Sequence, residues 1–294
     1  MFEGFERRRV TVGEVRIVCE VGGSGPPVLL LHGFPQCRAL WARVGPILAA
    51  DHTVVAADLR GYGESDKPPS AGDLATYSFR AMAADQAGLM AALGFERFHV
   101  VGHDRGGRTG HRLALDHPDR VASLAVLDII PTQTLLAGLD RQVAAGYWHW
   151  FFLSLPSPFP ERMIAADPDG FYESCLTGWG AARLEDFDPE QLAAYRRAWR
   201  DDAAIAGSCA DYRSTLQVDF ALDTADLARR VACPVLALWG RDGFMARCYD
   251  IGDTWRERCT SLETATLPGG HFFIDQHPTE TAAVLGRFLA AHPL

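Results

Sequence analysis

The chain has 294 residues, 48% of them hydrophobic and 22% charged, with a formal net charge of −9. These values exclude a disordered, collagen-like or coiled-coil chain. An acidic chain is also a poor partner for nucleic acid or an anionic membrane, since both repel it. No apolar run reaches the ~18 residues of a transmembrane helix. The opening Met-Phe-Glu-Gly-Phe-Glu-Arg-Arg-Arg lacks the apolar stretch of a secretory signal. The seven cysteines are an odd number at wide spacings with no C-x-x-C, which reads as reduced thiols in a cytoplasmic protein.

In chain order, Val15–Val21, Pro27–Leu31 and Thr53–Asp58 read as strands, and Ala83–Leu93 has helical spacing. Phe98–Gly102 reads as a strand, Gly106–Leu115 as a helix stopping near His117-Pro118, and Ala122–Leu127 as a further strand. Near-continuously apolar strands separated by helices predict an α/β fold with a mostly parallel sheet covered on both faces. Strand signals then vanish while aromatics crowd in, among them Tyr147, Trp148, Trp150 and Trp179. A capped helix over Pro189–Trp199 follows. Alternation resumes with strands at Pro234–Trp239 and Ser261–Leu267 and a last helix at Thr279–Ala291. The expected organisation is a sheet domain over 1–132 and 226–294, interrupted by a helical cap over 133–225.

The most informative segment is Gly102-His103-Asp104-Arg105-Gly106-Gly107-Arg108. A strand enters a tight turn flanked by glycines, and a helix leaves it. This is the pattern of a nucleophile elbow, with aspartate where serine hydrolases carry serine. The helix N-terminus favours an ionised Asp104. Leu31-His32-Gly33-Phe34-Pro35 follows an early strand, where this architecture supplies an oxyanion-hole amide. The predicted hole is the backbone N–H groups of Phe34 and Arg105. Gly269-Gly270-His271-Phe272 follows the last strand. The order nucleophile, acid, histidine is that of the α/β-hydrolase fold. Two residues compete for the acid: Asp128, after the strand ending at Leu127, and Asp242, after Trp239. Spacing alone leaves both open.

A carboxylate attacking a carbonyl gives an anhydride, whereas attack on an sp³ carbon gives an ester that water can cleave. Aspartate therefore suits halide displacement or epoxide opening. His271 would activate the water of the second step. Arg105 and Arg108, three apart on the helix, suit a substrate carboxylate. Arg38 and Trp41 lie on the following helix near the acyl side, where a structural ion pair competes for Arg38; Asp66 and Lys67 read as a solvated loop. No metal-ligand spacing occurs, and Gly61-x-Gly63 lacks the third glycine of a dinucleotide fingerprint, so no metal or cofactor is expected.

Together, Gly-His-Asp-Arg-Gly-Gly-Arg at 102–108, Trp-His-Trp at 148–150, Asp-Tyr-Arg at 211–213 and Gly-Gly-His-Phe-Phe at 269–273 closely resemble fluoroacetate dehalogenases. The resemblance implies Asp104 as nucleophile, Arg105 and Arg108 on the substrate carboxylate, and His149, Trp150 and Tyr212 as the halide pocket. It favours Asp128 as the partner of His271. It implies conversion of a haloacetate, fluoroacetate above all, to glycolate and halide by a homodimer. Two other readings use the same features. An epoxide hydrolase shares the aspartate and would use Tyr147 and Tyr212 as proton donors, but has no use for two arginines. A non-catalytic carboxylate receptor would not need the His271 system.

Overall fold

The computed structural model describes residues 1–70, 72–179 and 182–294; of the expected cap, residues 180 and 181 lie outside the described residues. Its centre is an eight-stranded sheet: β1 (Glu6–Val12), β2 (Val15–Gly23), β3 (Pro27–Leu31), β4 (Thr53–Ala57), β5 (Phe98–His103), β6 (Val121–Leu127), β7 (Val235–Gly240) and β8 (Leu262–Leu267). The spatial order is β1-β2-β4-β3-β5-β6-β7-β8. Strand β2 runs against both neighbours, and β3 to β8 are mutually parallel.

Every residue of β5 and β6 is buried, which explains their apolar runs: both faces of a parallel sheet are covered. Alternation still sorts the side chains by face. In β3, Leu29 and Leu31 join one core while Val28 and Leu30 join the other. The first core continues into the insertion through Trp150, Tyr172, Tyr195 and Tyr212, so sheet and cap share one apolar interior. Between β6 and β7 the described residues carry helices, including Trp148–Leu153, Pro189–Trp199 and Asp202–Ser214, the last running into a π-helical turn over Thr215–Asp219.

One strand escapes the sequence reading. Glu6–Val12 has no apolar run, and its residues are largely exposed. It is an edge strand whose charged side chains discourage pairing with another chain. Its register on β2 places Arg7 opposite Glu20, and the two side chains form an ion pair at 2.8 Å.

The chain leaves β3 toward β4 on one side and reaches β5 on the other. This reversal of strand order opens a crevice at the carboxyl ends of the strands, the general ligand position of open α/β sheets. Leu31 is in register with Gly102, and His103 with Leu127. The segments that follow β3, β5 and β6 therefore emerge side by side.

Candidate active site

Asp104 sits between β5 and the helix Arg105–Asp116 with φ 45° and ψ −113°. A non-glycine residue rarely adopts positive φ, and such strain persists only where the surroundings impose it. Here the imposition is steric. A Cβ on Gly106 would strike the carbonyl oxygens of Leu31 and His32, and one on Gly102 would strike the backbone of Gly106. Helix and strands thus approach more closely than any side chain allows. The strained turn lifts the Asp104 carboxylate off the sheet edge toward the cap, although only 5% of the residue is exposed.

The backbone N–H of Phe34 donates to Asp104 Oδ1 at 3.0 Å. Gly33 makes this approach possible, because a Cβ there would collide with Asp104. His271 lies opposite, with Nδ1 2.7 Å from Asp128 Oδ2. Asp128 is itself at φ 51°, and its Oδ1 accepts the Gly240 N–H at 3.1 Å. Asp242 is engaged elsewhere: its carboxylate accepts the Gly269 N–H at 3.0 Å and so shapes the loop before His271. The two acids left open by spacing therefore part company, Asp128 on the imidazole and Asp242 on the loop backbone.

Electrostatics separate the groups further. Burial would raise the Asp104 carboxyl, but His271, Arg105 and Arg108 outweigh it and hold the pKa at about 2. Burial would lower His271, yet its hydrogen bond to Asp128 and the charges of Asp128 and Asp104 raise it. An ionised carboxylate thus faces an imidazole of increased basicity. Burial pushes His149 well below its ordinary value, so this ring is neutral. Burial and the charge of Asp104 keep the Tyr212 hydroxyl protonated, with a pKa well above 10.

Around Asp104 the buried donors outnumber their acceptors. Arg105 Nη1, Arg108 Nε and Nη2, His149 Nδ1 and Trp150 Nε1 are buried with no hydrogen-bond partner in the protein. Each such group costs about 1–3 kcal/mol, more when charged, so a cluster of them is a site built for an acceptor the protein does not itself contain. Trp150 lies between the two cations, 5.4 Å from the Arg105 and 4.8 Å from the Arg108 guanidinium. Tyr212 meets Trp150 edge-on at 5.6 Å and Phe34 at 5.2 Å. Phe34 stacks on His149 at 6.0 Å. Asp104, Asp128, His271, Phe34, Arg105, Arg108, His149, Trp150 and Tyr212 are therefore brought to one buried place.

The α/β-hydrolase fold family model matches residues 26–278. A fluoroacetate dehalogenase from Burkholderia sp. is 61% identical over 290 residues, covering 99% of this chain and 95% of that protein. The chain belongs to the fluoroacetate dehalogenase family of α/β hydrolases. A soluble epoxide hydrolase from Corynebacterium sp. (strain C12) is 34% identical over 87% of each chain. The crystal structure of an α/β hydrolase from Nostoc sp. PCC 7120 superposes with a TM-score of 0.96 at 45% identity, covering 98% of this chain and 99% of that one.

In this member of the dehalogenase family, several site neighbours carry no sequence signal of their own. Trp179 lies 4.2 Å from the His149 ring and 5.5 Å, edge-on, from His271, so it spans cap and core. Only its place in an aromatic-rich insertion hints at this. His103 approaches the His271 carbonyl through Nε2 at 2.9 Å, and burial lowers it to about 3, which makes it a neutral prop under the His271 loop. Arg38 does not approach the acyl side. It is buried on Asp58, Glu20 and Glu64. Trp41 faces the opposite core. Lys67 is no solvated loop residue either: its ammonium donates to the Gly63 and Ser65 carbonyls at 2.8 and 3.0 Å, and Asp66 accepts the Arg16 N–H at 2.9 Å.

Proposed function

We propose that the protein hydrolyses haloacetates, with fluoroacetate giving glycolate and fluoride. The observation that carries this reading is the ring of unpartnered buried donors around an ionised Asp104. Two guanidinium groups suit a carboxylate through charge-assisted bonds. Neutral donors on His149, Trp150 and Tyr212 suit a departing halide. A neutral epoxide would leave the arginines uncompensated.

In the first step one Asp104 oxygen attacks the halogen-bearing carbon from the side opposite the halogen. The new C–O bond forms as the carbon–halogen bond breaks, and the halide leaves with its electron pair. Phe34 N–H donates to Oδ1, which leaves the other oxygen as the attacking atom. Donors aimed at the leaving group matter most for fluoride, a small ion whose developing charge must be stabilised as the bond breaks. Water then attacks the ester carbonyl of Asp104. His271, oriented by Asp128, takes the proton, and the backbone N–H groups of Phe34 and Arg105 stabilise the oxyanion. Collapse breaks the bond between the Asp104 carbonyl carbon and the alkyl oxygen, His271 returns its proton to the departing alkoxide to give glycolate, and the regenerated Asp104 carboxyl loses a proton to solvent. The chain's net charge of −9 disfavours an anionic substrate at long range, and the buried arginines supply cationic donors at the site itself.

The finer parts of the reading are a cap over 133–225 on a core of 1–132 and 226–294, a cytoplasmic location and a homodimer; light scattering on the purified protein checks the dimer. No helix among the described residues is long and apolar enough to cross a membrane.

The test is halide release from fluoroacetate and chloroacetate by the wild type, Asp104→Ala and His271→Asn. Wild type should release halide from both. Asp104→Ala should lose turnover by roughly 10⁴-fold or more. His271→Asn should release one equivalent of halide and keep the carboxymethyl group on Asp104, visible by mass spectrometry of the peptide. Sustained turnover by Asp104→Ala would end this mechanism.

A further inference from the structure

Arg105 and Arg108 flank the nucleophile, yet they are tethered differently. Arg108 donates through Nη1 to the Ile130 carbonyl at 3.0 Å and to Thr132 Oγ1 at 3.1 Å. Its Nε and Nη2 have no partner, which leaves the two-pronged edge that matches a carboxylate. Arg105 is bound along that same edge by the protein. Its Nε donates to Asp211 Oδ2 at 2.9 Å, and its Nη2 to Asp211 Oδ1 and Thr215 Oγ1. Nη1 alone is without a partner.

The tether is built from both parts of the molecule. Asp211 lies near the end of the cap helix Asp202–Ser214. Thr215 opens the π-helical turn that follows, a rare wide turn that is frequent at functional sites, and its hydroxyl donates to the Asp211 carbonyl at 2.9 Å. Tyr62, in the core loop after β4, donates to Asp211 Oδ2 at 2.6 Å. Neither side chain of the Arg105–Asp211 pair is exposed. Aromatic rings flank the guanidinium, with its central carbon 4.2 Å from the Tyr212 centroid and 4.6 Å from that of Phe79.

We propose that Asp211 is a positioning residue for halide displacement: it holds Arg105 off the nucleophile and reserves Nη1 for the substrate carboxylate. The inference rests on the proposed haloacetate reaction. Its physical basis is competition. Arg105 follows Asp104 directly in the chain, and Asp104 is a buried anion, where screening by bulk water is weak. A buried guanidinium seeks a counter-ion. The other carboxyl that feels Arg105 is Asp219, which burial raises to about 8, so it is neutral and already accepts the Phe79 N–H. Without Asp211, the remaining anion for Arg105 is the nucleophile itself. Pairing there would mask the attacking oxygen and remove one anchor of the substrate. Asp211 thus acts through Arg105, since its own carboxylate is taken up by Arg105 and Tyr62.

The probe is acetate, the substrate carboxylate without a halogen, titrated into full-length wild type, Asp211→Asn and Tyr62→Phe by calorimetry, with chloroacetate kinetics in parallel. Asp211→Asn should weaken acetate binding about tenfold or more, raise KM in step and lower kcat, the size expected when hydrogen bonds to a charged group are lost. Tyr62→Phe keeps the charge but removes one tether, and should shift acetate affinity and KM the same way by about threefold. Acetate binding as tight as wild type in both variants, or tighter in Asp211→Asn, would overturn the proposal and make Asp211 a mere charge counterweight. Absence of acetate binding by the wild type would also overturn it. If Asp211→Asn does not fold, Tyr62→Phe decides. Failure of the haloacetate reading is distinct: it appears as no halide release by wild type, whatever acetate does.

Discussion

The nucleophile elbow and the cap serve one pocket by opposite means. The elbow places Asp104 through the backbone: a positive φ, glycines at 102 and 106 where no Cβ fits, and a single N–H from Phe34. The cap places His149, Trp150, Asp211 and Tyr212 through packed side chains contributed by separate helices. Backbone placement tolerates no change, since neither side of the contact can yield. Side-chain placement can be retuned one group at a time. Under the proposed function the elbow and the helix leaving it hold the nucleophile and the two arginines, and the cap side chains meet the leaving halide.

Three measurements sharpen or break this division. The largest effect is expected from Gly106→Ala, whose Cβ meets the Leu31 and His32 carbonyls. Denaturant unfolding should show a loss of about 2–3 kcal/mol, the upper part of the ~1–3 kcal/mol range for overpacking because backbone cannot yield, together with loss of halide release from every haloacetate. A stable, active Gly106→Ala protein would mean the elbow is not sterically imposed. Next comes Trp150→Phe, which removes one indole N–H from the cap. Loss of one preorganised donor lowers kcat by about 10²-fold. The loss should be greater with fluoroacetate than with chloroacetate, because fluoride depends more on hydrogen bonds as it leaves. Equal losses on both would place the halide elsewhere.

The smallest effect is a pH shift that separates the two halves of the reaction. His271 must be neutral to accept a proton, and Asp128 and Asp104 raise its pKa. Turnover should therefore fall as pH drops through a value above the ordinary histidine pKa of about 6.5. Asp104 stays ionised down to about 2, so ester formation should persist well below that point. Quenched mass spectrometry near pH 5 should find the alkylated Asp104 accumulating in the wild type. Ester formation that fades in parallel with turnover would show both steps limited by one ionisation.

Much of this was legible in the chain. Strands β3, β5 and β6 and the helices Arg105–Asp116 and Pro189–Trp199 fall where apolar runs, prolines and capping residues put them, within a residue or two. Strand β1 was not legible, because an exposed edge strand has no apolar face to advertise. Lys67 departs from a solvated-loop reading for a related reason, and Arg38 takes the structural ion pair that competed with an acyl-side position. Long charged side chains look solvated in a sequence, yet they are retained inside when carbonyls or carboxylates surround them.

The sequence by itself determined the sheet with its helical insertion, the aspartate elbow and the order of nucleophile, acid and histidine. Those features rest on hydrophobic periodicity and on glycines demanded by local backbone geometry, and both are written in neighbouring residues. Only the tertiary structure decided that Asp128 rather than Asp242 meets His271, that Arg108 keeps an open edge while Arg105 is bound to Asp211, and that Trp179 joins the cap to the catalytic histidine. These are contacts between segments far apart in the chain. Their partners are chosen by which buried groups must satisfy one another once the core has closed, and no local pattern encodes that choice.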